Sequence, residues 1–271
     1  MEVVPWKSWA LLGSCFDTVR TPPYAKMVVL ASGQLRNGGL ALDRLAGADL
    51  EVTGRPAPAV LPPSLRAWLG LIATLAALVV VALGVLYAGH SEPGAVDRWI
   101  IQPTADSVRP PWRRVALALD FLGAPAGAAA LVVAAVTGCL LLRRPRAAVF
   151  VVAGVGVPVG TARLLKSLVG RTIHGEDNLS YPSGHTAFAT ALALVVALLA
   201  TRRLGLGRTA GTTLVLAAGL VAGAAMGWAQ VALGAHYPTD VLGGWCTALA
   251  VTPATAWLVD RVADAARREW R

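Results

Sequence analysis

Six apolar stretches, each close to the ~20 residues a helix needs to cross a hydrocarbon core, fill most of residues 67–259 in this chain of 271. They run over 67–89, 115–142, 147–166, from the turn at 182–185 to Arg203, over 210–233 and over 241–259. Only 14% of the residues are charged and 56% are hydrophobic, whereas a soluble domain carries roughly 25% charged residues. The fold expected is an all-α membrane protein with six transmembrane helices in a bundle. In the fifth stretch Gly219, Gly223 and Gly227 recur every four residues, a spacing that lets a neighbouring helix backbone approach closely.

The formal net charge is +9, and arginine carries nearly all the basic charge. Lys7, Lys26 and Lys166 are the three lysines, so Lys166 stands out within the apolar region. The arginines gather in short segments between apolar runs and not along one polar face, which argues against nucleic acid as a partner. "RRPR" at 143–146, "RRLGLGR" at 202–208 and the tail at 261–271 share one side if the helices alternate. The positive-inside rule makes that side cytoplasmic. Arg98, Arg109, Arg113 and Arg114 fall on the other side, accompanied by Glu92, Asp97 and Asp106. Both termini are then cytoplasmic, and the loops after the first, third and fifth helices face outward.

Residues 1–65 differ in kind, being rich in Pro, Gly, Arg and Asp with no run long enough to span. They read as a cytoplasmic, largely disordered extension, followed by a membrane domain over 66–260 and a cytoplasmic basic tail over 261–271. The opening "MEVVPWKSWALLGSC" has a broken apolar region and no convincing cleavage site, unlike a signal peptide, and Met27 is an alternative start. Cys15, Cys139 and Cys246 are scattered, the last two within apolar runs. They support neither a disulfide framework nor a metal site.

The polar chemistry gathers at the outward ends of the later helices. Lys166, Arg171, His174, Ser183, His185, His236 and Asp240 all fall there, and ionisable groups at such depth usually have a pairing or functional reason. In "PSGH", Ser183 reads as an N-cap, Pro182 fixes the chain entry and Gly184 lets backbone approach a ligand. The free N–H groups of that first turn then point at an anion, for which a phosphate fits. His185 on the same turn is placed to protonate a leaving oxygen; the bland alternative is an ordinary capped helix. In "AHYPTDVLGG", His236 and Asp240 are four apart. A carboxylate holding one ring nitrogen leaves the other free as nucleophile or base. In "LLKSLVGR", Lys166 and Arg171 flank Gly170 and offer two cations for phosphate oxygens, against the alternative of basic side chains snorkelling at a helix end. Asp120, near the start of the second stretch, reads as a helix cap, with a place in a headgroup cavity as the other option.

These three elements together resemble the type 2 phosphatidic acid phosphatase superfamily, integral-membrane lipid phosphate phosphatases with a six-helix fold. The family pattern is Lys, six residues, Arg-Pro; then Pro-Ser-Gly-His; then Ser-Arg, five residues, His, three residues, Asp. Lys166, Pro182, Ser183, Gly184, His185, His236 and Asp240 fit it, while Ile173-His174 stand at the first Arg-Pro and Ala229-Gln230 at the Ser-Arg. The resemblance covers about residues 66–260. It implies an active site at the outer ends of helices three to six and a mechanism without metal or cofactor. His236 would attack phosphorus, His185 would protonate the departing group, and Asp240 would orient His236. A phosphohistidine would then be hydrolysed. Lys166, Arg171, Ser183, Gly184 and Gln230 are the candidate phosphate ligands. The expected substrate is a phosphate monoester or diphosphate on a polyprenyl or glycerolipid, met at the outer face of a bacterial cytoplasmic membrane. The oligomeric state is left open, a homodimer included. A catalytically weak lipid-phosphate binding protein would explain the displaced arginines but does not need a nucleophile. A small transporter would instead place polar residues in the middle of the apolar runs.

Overall fold

The structure is a computed structural model that describes residues 59–269. After a short 3-10 turn at Pro63–Leu65, these residues form α1 (Arg66–Leu86), α2 (Ala95–Ser107), α3 (Pro110–Gly123) and α4 (Pro125–Leu141). Then follow α5 (Pro145–Val169), α6 (Gly184–Arg203), α7 (Arg208–Ala232) and α8 (Pro238–Glu269). No strand is present among the described residues. Five helices are long and apolar enough to cross a membrane: α1, α5, α6, α7 and α8. The bent pair α3 and α4 makes a sixth span if counted as one. The chain is a multi-pass helical membrane protein.

The second apolar stretch, expected as one continuous span over 115–142, is broken into α3 and α4, which meet at 65°. The cause is local. Pro125 opens α4 and disfavours the α conformation in the residue before it, and Ala124 is extended at φ −68° and ψ 158°. Its N–H still caps α3 by donating to the carbonyl of Asp120. Proline likewise opens α3 and α5, where its missing N–H costs no helix bond.

The glycines of α7 act differently from the close backbone approach their spacing suggested. A Cβ at Gly219 would lie 2.9 Å from the Leu194 side chain, at Gly223 2.3 Å from the Trp245 ring and at Gly227 2.3 Å from Val241. The stripe is a row of sockets for side chains of α6 and α8. Trp245 also donates its indole N–H to the carbonyl of Gly219, at 3.0 Å, so the large ring is held by a polar bond as well as by packing. Leu194, Val195 and Leu198 of α6 and Phe150 and Val151 of α5 fill the centre of the bundle.

The end of the bundle away from the histidines is closed by a carboxylate. Asp260 of α8 accepts the N–H groups of Val60 and Leu61 at 2.8 and 3.0 Å and pairs with Arg146 of α5 at 2.6 Å. The extension expected over 1–65 falls mostly outside the described residues, as do Met27 and Cys15. Its last part does not: Val60, Leu61 and Leu65 are buried in the core. The tail expected from 261 continues α8 without a break as far as Glu269. Cys139 and Cys246 are free thiols.

Removing Asp260 leaves Arg146 buried without its 2.6 Å partner and two amide N–H groups without an acceptor. Asp260→Ala is expected to cost about 3 kcal/mol, seen as a lower melting temperature in detergent, whereas Asp264→Ala at the exposed neighbouring carboxylate is expected to cost less than about 0.5 kcal/mol.

Candidate active site

The last turn of α5 begins the site. Lys166 lies there, and its Nζ donates to the carbonyl of Leu179. Gly170 ends the helix in the left-handed region, at φ 64°, with its N–H returned to the carbonyl of Lys166, a turn that suits glycine. The chain then doubles back. Thr172 and Leu179 form an isolated antiparallel bridge, and Ser180 donates its N–H to the carbonyl of Arg171 at 2.7 Å. This return places Tyr181-Pro182-Ser183-Gly184 against the first turns of α8.

That contact demands glycine on α8. A Cβ at Gly243 would stand 2.3 Å from the Tyr181 ring, and one at Gly244 2.3 Å from the carbonyl oxygen of Ser183. Tyr181 is fully buried and donates its hydroxyl to the carbonyl of Val80 on α1, at 2.7 Å. Burial pushes its phenol pKa up, so the hydroxyl keeps its proton. Ser183 donates its N–H to the carbonyl of Asp240 at 2.9 Å and caps α6 through Oγ, which accepts from the N–H and the hydroxyl of Thr186. The N-cap expected of Ser183 is therefore present, with the hydroxyl buried. At Gly184 an added Cβ would meet nothing within 4 Å, so this first turn borders open space.

Asp240 has both carboxylate oxygens engaged. Oδ1 accepts from Arg171 Nη1 at 2.7 Å, and Oδ2 accepts the N–H of Tyr237 at 3.1 Å and lies 3.7 Å from His236 Nδ1. The last separation is an ion-pair distance and longer than a hydrogen bond. His236 sits in the loop before α8 and is 9% exposed. Burial pushes its imidazole pKa below the ordinary histidine value, against the opposing pull of the Asp240 carboxylate. The ring is thus poised to be neutral near pH 7.

Arg171 is placed where the sequence did not anticipate. Its side chain is 0% exposed, with Nη2 paired to Asp97 Oδ2 and Nη1 to Asp240 Oδ1, both at 2.7 Å. Nη1 also donates to Thr239 Oγ1 at 2.6 Å. The guanidinium lies 4.1 Å from the Tyr87 ring centre and 4.6 Å from that of Tyr237, a cation–π sandwich. Both terminal nitrogens are committed to carboxylates, so the grip on phosphate expected of Arg171 would require breaking a buried pair. Asp97 of α2 completes the cluster by accepting the N–H and hydroxyl of Thr239 and the N–H of Gly94. Nothing in the local sequence marked Asp97. Among several loop carboxylates, only the third dimension sets it apart.

His185 and Asp120 form the more open side. His185 Nε2 lies 3.5 Å from Asp120 Oδ1, and their side chains are 30% and 36% exposed. The bend of α3 into α4 brings Asp120 there, and Gly123 permits it, because a Cβ would press to 2.5 Å from the His185 ring. Gln230 is buried and donates Nε2 to the same Asp120 oxygen at 2.8 Å. Asp120 is thus more than a helix cap. His185 is within electrostatic reach of His236 and Lys166, and Lys166 within that of Asp240. Lys166, Arg171, Ser183, His185, Gln230, His236 and Asp240 lie together at this one end of the bundle.

Residues 167–264 match the family model described as the PAP2 superfamily. Over these residues the chain is similar to the PAP2 superfamily. No curated protein matches the sequence. The solved structure titled as the first transmembrane PAP2 type phosphatidylglycerolphosphate phosphatase from Bacillus subtilis is similar in fold. Its TM-score is 0.57 at 23% identity, over 71% of this chain and 96% of that one. Against the PAP2 pattern, the two departures now have places. Ile173, at the first arginine position, is buried at 3% exposure. His174 takes φ 60° and meets the carbonyl of Gly234 through Nε2 at 2.7 Å, tying the α5–α6 connection to the turn after α7. Gln230, at the second arginine position, faces Asp120.

Arg171→Met leaves Asp97 and Asp240 buried without their cation. The expected cost is about 3 to 5 kcal/mol, measured as a loss of melting temperature or of folded yield in detergent.

Proposed function

We propose that this chain is a lipid phosphate phosphatase working through a phosphohistidine, with His236 as nucleophile and His185 as acid and then base. The observation that carries the reading is the state of His236: a buried imidazole with reduced basicity, its Nδ1 turned to a carboxylate that Arg171 fixes from behind. That arrangement directs the Nε2 lone pair away from Asp240 and toward a substrate. The PAP2 superfamily match and the phosphatase named by the similar structure support the same reaction class.

In the first half reaction Nε2 of His236 forms a bond to phosphorus as the bond to the leaving oxygen breaks, and His185 delivers its proton to that oxygen. In the second, His185 takes a proton from water, whose oxygen attacks phosphorus and releases the P–N bond. Lys166 and the N–H groups at the start of α6 stabilise the charge spread over the phosphoryl oxygens. Arg171 acts as a positioning residue through Asp240 and not as a phosphate ligand. The substrate is a phosphate ester on a membrane lipid, whose tail stays in the bilayer while the headgroup enters at the end of the bundle. With the arginine-rich connections cytoplasmic, that end faces outward from a bacterial cytoplasmic membrane.

Phosphate release from lipid phosphates by the full chain in detergent tests the proposal. Release is expected to survive EDTA, and His236→Ala is expected to reduce it at least ~1,000-fold, the scale of losing a nucleophile. Retained turnover in His236→Ala overturns the mechanism. The pH profile is a second check. Because burial disfavours the charged imidazole, the acidic limb of kcat/KM is expected below the ordinary histidine value of about 6.5. The sign carries over to stability: folding holds His236 neutral, so its contribution is complete above about pH 6.5 and falls as pH drops below that value.

A further inference from the structure

Asp120 and Gln230 form a wall beside His185 that the proposed reaction does not use. Asp120 lies 3.5 Å from His185 Nε2, and Gln230 holds it there at 2.8 Å. Asp97 and Asp240 are 0% exposed and already carry Arg171 between them, whereas the Asp120 side chain is 36% exposed. Its charge is therefore felt on the open side of the site, next to the imidazole that serves the leaving group. Gln230 can orient this carboxylate through its amide, but brings no positive charge to offset it.

The two classes of substrate left open by the motifs differ at this spot. When a phosphate monoester is cleaved, the leaving group beside His185 is an alcohol. When a diphosphate is cleaved, the leaving group is itself a phosphate and stays anionic. A fixed carboxylate repels the second and tolerates the first, and like charges brought together in a partly desolvated site discriminate strongly. We infer that Asp120, held by Gln230, is a selectivity-determining residue that makes the site choose lipid phosphate monoesters over lipid diphosphates. This rests on the phosphatase reading above and on His185 serving the leaving group.

The test measures initial kcat/KM for a polyprenyl monophosphate and a polyprenyl diphosphate of one tail length, with the products separated so that sequential cleavage is resolved. Wild type is expected to favour the monophosphate by at least ~10-fold, and Asp120→Asn to shrink that ratio by about tenfold, chiefly by raising the diphosphate value. Gln230→Arg places a cation against the same carboxylate and is expected to shift the ratio in the same direction, so the result does not hang on one variant folding. A merely structural role for Asp120 would lower both substrates together and leave the ratio where it was. Wild type favouring the diphosphate, or a ratio unmoved by both variants while turnover persists, overturns the inference alone. Wild type cleaving neither these substrates nor the corresponding glycerolipid monophosphate and diphosphate overturns the phosphatase reading and this inference with it.

Discussion

A guanidinium buried between two aspartates and two tyrosine rings holds the histidine end of this bundle together. Arg171 reaches Asp97 on α2 and Asp240 on α8 at 2.7 Å each, with Tyr87 and Tyr237 on its faces. Burying three charges is costly, and a buried ion pair is weak evidence of net stabilisation. What it supplies is definition: each carboxylate must find this one cation or stay buried and unpaired. The loop after α1, the turn after α5 and the start of α8 are thereby drawn to one point. Asp240 in turn receives the N–H of Ser183 on its carbonyl and faces His236 with its carboxylate.

The rest of the molecule supports that point by removing side chains where elements must touch. Gly243 and Gly244 admit Tyr181 and the Ser183 carbonyl, Gly123 admits His185, and the α7 glycines admit Leu194, Trp245 and Val241. These are contacts in which an added methyl group would overlap existing atoms, so packing and site geometry are the same constraint. At the opposite end Asp260 repeats the device of a buried carboxylate gathering several elements, here Arg146 and the N–H groups of Val60 and Leu61. One cluster shapes the surroundings of His236, and the other holds Val60 and Leu61 against α8.

Much of this was legible in the sequence. Length and apolarity gave the helices, and motif spacing gathered Lys166, Ser183, His185, His236 and Asp240 at one end of the fold. The break at Ala124 was also written locally, since Pro125 disfavours an α conformation before it, yet the apolar run masked it. Asp97 was not legible as a site residue, and Asp120 was legible only as the lesser option beside a helix cap. Each is a carboxylate in a helix-end turn, Asp97 in the first turn of α2 and Asp120 in the last turn of α3, and its partner lies far along the chain: Arg171 for the first, His185 and Gln230 for the second.

The sequence by itself determined a helical membrane protein and which polar residues gather as candidates at one end of it, because apolar length and motif spacing are properties of one segment at a time. Tertiary structure alone decided which cation does what. Arg171 and Lys166 stand five residues apart and look alike as phosphate ligands. The turn at Gly170 sends Arg171 behind Asp240, between two carboxylates, while Lys166 stays on the helix and reaches the Leu179 carbonyl in the segment before Ser183. A buried charge takes whatever counter-charge the fold brings to it, and that choice is fixed only when distant segments meet.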